Sequence, residues 1–123
     1  MKILLVSDKT FYKEQALIRF NLKKHTGIFQ TTDIGKTHKG INTAKIFIDK
    51  DILLLKESDA ILICNFKKGK QENHIGEYSL MIATLAYFLQ KKIYLLYDMP
   101  SNKYKEQLMM LEAISLNGNL NKI

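Results

Sequence analysis

An α/β fold, in which five parallel strands carry helices on both faces, is predicted by three features of this sequence. Short apolar runs have the length of strands buried on two sides, helical periodicities lie between them, and turn residues mark the changeovers. At 123 residues the chain is expected to form a single domain, residues 1 to 123, with room for a substantial core. Its composition, 46% hydrophobic and 25% charged with one proline, is that of a globular protein rather than a disordered or fibrous one.

The first strand is "KILLVS" (2–7), an uninterrupted apolar run. "TFYKEQALIRFNLKKH" follows as a helix that Thr10 is expected to cap and Gly27 to close. "IFQTTDI" (28–34) reads as the second strand, and a loop with Gly35 and Gly40 leads out of it. In "INTAKIFIDKDILLLKESD" the residues Ile41, Ala44, Ile48, Ile52 and Leu55 recur at helical spacing, with Lys45, Asp49, Lys50 and Lys56 toward water. "AILICNF" (60–66) is the third strand, and "KKGKQEN" is a basic loop around Gly69.

The segment "NHIGEYSLMIATLAYFLQKK" (73–92) combines a polar helix start with a body that is apolar on nearly every side. Such a body implies burial on every side, which a lone protomer of this size cannot give an outer helix; a homodimer or larger homo-oligomer packed through it is expected. "KIYLLYD" (92–98) is the fourth strand, "YKEQLMMLEA" a short helix, and "ISLNGNLNKI" a last strand with a turn at Gly118. The simplest assembly of these elements is a flavodoxin-like three-layer sandwich with right-handed crossovers. Ligands of such sheets bind beyond the carboxyl ends of the strands, which directs attention to Ser7 to Tyr12, Asn65 to Glu77 and Asp98 to Asn102.

Charge and cysteine content narrow the function. The formal charge is +7, but 18 of the 19 basic residues are lysine, and they are scattered. Base reading favours the planar arginine fork, so no specific nucleic-acid partner is expected, and small anionic ligands rank above polynucleotides. The single cysteine, Cys64, lies inside an apolar run and reads as a core residue, which excludes a disulfide framework within the chain. The apolar start "MKILLVS" is too short for a signal-peptide core or a membrane span, so a soluble cytoplasmic protein without a membrane partner is expected.

Two phosphate motifs are absent or broken. Gly35-Lys36-Thr37 has Gln30 where a P-loop requires its first glycine and reads as a glycine turn; no Gly-x-Gly-x-x-Gly occurs, so nicotinamide and flavin dinucleotide chemistry is not expected, and no cofactor is expected. His25, His38 and His74 have no metal-ligand spacing, and no metal site is expected. His74, Gly76, Tyr78 and Ser79, preceded by Lys67, Lys68 and Lys70, gather at a predicted helix N-terminus whose free amides favour an anion. Simple capping by Asn73 or Ser79 is the plainer reading of the same residues. Glu77 in the first turn suits the helix dipole without any catalytic role.

"SDAILICNF", "IGEYSLMIATLAYFLQKKIYLL" and "LNGNLNKI" together resemble a branch of the nucleoside 2-deoxyribosyltransferase-like family, which includes the deoxynucleoside 5′-monophosphate N-hydrolases. The likeness covers the chain from Ile48 to the end; the first half matches only as strand, loop and helix. It implies a parallel sheet, a dimer or larger assembly, and cleavage of an N-glycosidic bond by a helix glutamate that attacks the anomeric carbon. Counting back from "QKKI" puts that nucleophile at position 82, where this chain has Ile82, and the neighbouring family glycine at Thr84. Glu77, the one acid of this helix, is five residues earlier, about 7.5 Å away along the axis and rotated by about 140°.

The resemblance further implies that Ser7 to Tyr12 wrap a base or sugar, with Phe11 or Tyr12 stacking on it, and that Asn65 stands at a strand end where transferases place an acid. Asp51 and Asp59 fall on acidic positions before that strand, their plainer roles being a helix-surface charge and a turn or cap. The expected function is a nucleoside- or nucleotide-binding protein degenerate in its catalytic glutamate, holding its ligand through Ser7, Phe11, Tyr12, Asn65, Lys67, His74, Gly76, Tyr78 and Ser79. The alternatives are an N-glycosidic-bond hydrolase or deoxyribosyltransferase that uses another acid, such as Glu77 or an acid from a neighbouring subunit, and a structural or protein-interaction module.

Overall fold

The computed structural model describes residues 1–22, 28–30, 41–101 and 103–123. Gly27, Gly35, Lys36, Thr37, Gly40, His25, His38 and Asn102, named above, and residues 31–34 of the expected second strand lie outside the described residues. The chain is α/β with a parallel sheet. Its strands are β1 (Ile3–Val6), β2 (Ile28–Gln30), β3 (Ala60–Ile63), β4 (Lys92–Leu95) and β5 (Ile114–Ser115). They lie in the order β2-β1-β3-β4-β5, and every pairing is parallel. β1, β3 and β4 carry the sheet at four residues each, while β2 and β5 are edge pieces of three and two.

Alternation along the central strands explains why they read as continuous apolar runs. Leu4 and Val6 point into one cluster with Ile61, Ile63, Ile93 and Leu95, while Ile3 and Leu5 point into another with Leu62, Tyr94 and Leu96. Both sheet faces are therefore dry, and each fully buried leucine or isoleucine contributes about 1.5–3 kcal/mol. Leu55 from helix α2 (Ile41–Glu57), Ile82, Ala83 and Ala86 from α3 (Glu77–Phe88) and Leu108 from α4 (Lys105–Met110) fill the first cluster. Ile18 from α1 (Tyr12–Asn21), Leu22 and Leu116 fill the second.

Several local expectations are corrected. Thr10 caps nothing; Asp8 is the cap of a 3-10 turn, Lys9–Phe11, that precedes α1, and its carboxylate accepts from the Thr10 amide. A carboxylate is the stronger acceptor for a free helix-start amide. Neither Asn73 nor Ser79 caps α3: Gly76 is its N-cap, without a side-chain cap bond, and Asn73 takes a left-handed φ of 53° in the loop before it. The C-terminal segment yields only the short β5, after which Gly118, at φ 80°, turns the chain into a 3-10 helix at Leu120–Lys122.

Helix α3 does not bury every side within the protomer. Ser79, Ile82, Ala83 and Ala86 face inward, whereas Met81, Tyr87 and Phe88 are exposed, Phe88 by 80%. Asp51 is no surface charge: it is fully buried, although Lys45, Asp49, Lys50 and Lys56 on the same helix are exposed as expected. Among the described residues no helix is long and apolar enough to cross a membrane.

Candidate functional site

The strand order reverses direction between β1 and β3, and the loops leaving the carboxyl ends of these two strands face one another there. The first polar residues after β1 are Ser7 and Asp8. Ser7 Oγ donates to the Asp8 carbonyl oxygen at 3.2 Å and accepts from Gln15 Nε2 at 2.8 Å, which fixes the β1 exit against α1. The Asp8 carboxylate is then committed to several donors. Its Oδ1 accepts from the amide and the hydroxyl of Thr10, both at 3.0 Å, and its Oδ2 accepts from Lys68 Nζ at 2.7 Å.

Lys68 is delivered by a tight hairpin. Lys68 and Gln71 exchange both backbone hydrogen bonds, at 2.9 and 3.0 Å, around Gly69, whose φ of 61° suits a residue without Cβ. The His74 amide then donates to the Phe66 carbonyl at 2.9 Å and closes the loop. This brings His74 Nε2 to 3.3 Å from Asp8 Oδ2. A proton on that nitrogen makes the histidine the second side-chain donor to the same oxygen. Burial opposes ionisation of Asp8, but the Lys68 and Thr10 hydrogen bonds and the Lys68 charge outweigh it and hold the carboxyl well below the usual carboxylate range.

Gly76 completes this cluster. A Cβ at Gly76 would stand 4.0 Å from both Asp8 Oδ2 and His74 Nε2, so the start of α3 lies directly beside the paired charges. Aromatic rings pack beside the cluster, Phe11 buried and Tyr97 exposed. Phe11 packs edge-on against Phe66, with centroids 5.1 Å apart, and against His74 at 6.5 Å; Phe66 in turn meets Tyr97 at 6.1 Å. Rings, a carboxylate, a lysine and an imidazole thus share one end of the sheet, a set suited to a flat heterocycle carrying hydroxyl groups.

A second carboxylate lies under the front of α3. Tyr78 donates its phenolic hydrogen to the carboxyl group of the fully buried Asp51 of α2. Burial, then the hydrogen bond and charge of Asp51, raises the Tyr78 hydroxyl far above its ordinary value, so it stays a donor at any physiological pH.

The candidate residues divide accordingly. Ser7, Phe11, His74 and Gly76 surround Asp8, and Tyr78, the second residue of α3, is hydrogen-bonded to Asp51. Asn65 is fully buried, and its amide bridges strand ends: Nδ2 donates to the Asp98 carbonyl at 2.8 Å and Oδ1 accepts from the Tyr97 amide at 2.9 Å. Lys67 pairs with Glu72 at 3.3 Å on the surface, Tyr12 is exposed, and Ser79 is buried. Glu77 is exposed and its Oε1 accepts from the Tyr104 hydroxyl at 3.4 Å. Ile82 is fully buried in the core beside the sheet.

Asp8 and Lys68 lie in the loops that the sequence singles out, and Lys68 in the basic run before the helix start, but neither is among the ligand-binding residues expected from sequence, and Asp51 is expected at a helix surface. For Asp51 the signal existed: it stands three residues after Ile48 and four before Leu55, on the apolar stripe of its own helix. Nothing local signals that Asp8 and Lys68, 60 positions apart, meet. Comparison with family models, curated proteins and solved structures gives no match for this chain.

Proposed function

We propose that this chain is a nucleoside- or nucleotide-binding protein of the deoxyribosyltransferase-like kind, on a five-stranded flavodoxin-like three-layer sandwich, without the glutamate nucleophile of that chemistry. The observation that carries the reading is the juxtaposition of Asp8, Lys68 and His74 with the Phe11–Phe66–Tyr97 rings at the strand-order reversal. Phe66 and Tyr97 would supply apolar surface for a base, with the buried Phe11 behind them, and the fixed charges directional partners for a sugar. Ile82, where the resemblance puts the nucleophile, is an apolar core residue that can neither attack an anomeric carbon nor balance positive charge on it.

Saturable thermal stabilisation by nucleosides, with no free base released on chromatography at high protein concentration, is the expected result. Stabilisation by none of the nucleosides or their 5′-monophosphates would reject a binding function. Release of base would favour the second reading, an N-glycosidase or deoxyribosyltransferase using another acid. That reading has its own support in Asp51, a buried carboxylate engaged with a phenol at the front of α3.

Self-association through the outer face of α3 accompanies the proposal. Tyr87 and Phe88 open onto a groove of about 820 Å³ that also holds Leu111, Ile114, Lys91 and Glu112. Apolar residues with charges of both signs fit a two-fold contact, in which each lysine meets the partner's glutamate. An interaction module without ligand is the remaining reading, supported by the same face. A cytoplasmic setting is part of the proposal.

A further inference from the structure

Ser79 is 3% exposed, yet among the described residues nothing hydrogen-bonds to its hydroxyl. A serine within a helix can donate to the carbonyl one turn back, as Thr84 of the same helix does to Leu80 at 3.0 Å; Ser79 makes no such bond. A buried hydroxyl without a partner is unfavourable and calls for an explanation. Ser79 lies on the inward face of α3 with Ile82, Ala83 and Ala86, and side chains of a helix lean toward its N-terminus, so the hydroxyl is aimed at the start of α3. That start is uncapped. The amides of Glu77, Tyr78 and Ser79 precede the first bond of the helix, from Leu80 to the Gly76 carbonyl at 3.1 Å, and among the described residues they have no acceptor. Gly76 brings no side chain, and a Cβ there would meet nothing nearer than 4.0 Å, which leaves the approach open.

We propose that the Ser79 hydroxyl and the three free amides form a subsite for a ligand's carboxylate group, a site that goes beyond the nucleoside reading and does not rest on it. The amides are donors only and the hydroxyl has a donor to give, so the group they take is an acceptor. Charge selects among acceptors. Lys68 is balanced by Asp8 and Lys67 is paired with Glu72, while Lys70 is exposed in the hairpin turn. The positive potential at the start of α3 then comes chiefly from the helix itself, about half an elementary charge, which suits one negative charge better than the two of a phosphate.

The test is titration of the nitrogen-15-labelled protein with acetate and, separately, with inorganic phosphate, at constant pH and ionic strength, following the amide resonances of Glu77, Tyr78 and Ser79. Acetate is expected to shift all three saturably and to bind more tightly than phosphate. Ser79→Ala is expected to weaken acetate about tenfold or more, because a hydrogen bond to a charged group is lost. Its urea midpoint without acetate is expected to be no lower than that of the wild type, since no bond within the protein is removed. In Gly76→Ser the new hydroxyl caps the amides from within, and the acetate response is expected to vanish. The absence of saturable shifts at these amides, wild-type acetate affinity in either variant, or a lowered midpoint in Ser79→Ala would overturn the subsite. Tighter binding of phosphate would overturn its assignment to a carboxylate. An acetate response in a protein that no nucleoside stabilises would sustain this site while rejecting the nucleoside reading.

Discussion

The Asp51–Tyr78 pair is costly to build and therefore informative. A carboxylate with no exposed surface loses its hydration, and the phenol of Tyr78 is one of the groups that compensates. Replacing Tyr78 by phenylalanine keeps the ring and removes that donor, so the variant is expected to lose about 1–3 kcal/mol of stability, measured by urea denaturation. An unchanged midpoint would mean that the hydrogen bond contributes no net stability, and would shift the weight toward a role on ligand. Cys64 shows the opposite economy among buried residues. Burial alone pushes its thiol up to about 12, leaving it an inert apolar group as its surroundings in the sequence suggest.

Among the elements, the central strands were legible because their apolar runs reflect burial on both faces. The same logic misled for α3. Its body is apolar all round, yet while Ser79, Ile82, Ala83 and Ala86 are buried and Tyr78, Leu80 and Leu85 pack part-buried against the same core, Met81, Tyr87 and Phe88 stay exposed, since periodicity reports hydrophobicity and not which faces the fold covers. The charged cluster was half legible: the loops could be named from the fold, while the Asp8–Lys68 contact depends on a crossover that no local pattern encodes. The inward face of α3 makes the sharpest prediction for an element. Ile82→Glu would restore the nucleophile that the resemblance calls for, but it puts a carboxylate among Val6, Ile63 and Ile75. The expected outcome is a stability loss above about 3 kcal/mol by denaturation, with no base release on chromatography. A stable variant that releases base would instead place this position beside the ligand site.

At the scale of the whole molecule, charge and apolar surface pull in opposite directions. Each protomer carries a formal +7, so two copies repel at long range. The exposed Met81, Tyr87 and Phe88 of α3, continued by Ile114, favour contact at short range. Salt separates the two: it shortens the Debye length from about 30 Å at 0.01 M to about 8 Å at 0.15 M while leaving apolar burial intact. If copies associate through this face, light scattering will show the mean mass rising from low to moderate salt, and Phe88→Glu will hold the protein at the mass of a protomer throughout. A dimer that weakens with added salt would point to an interface built on Lys–Glu pairs rather than on the α3 face. A protomer at every salt concentration would leave the apolar surface to a different partner.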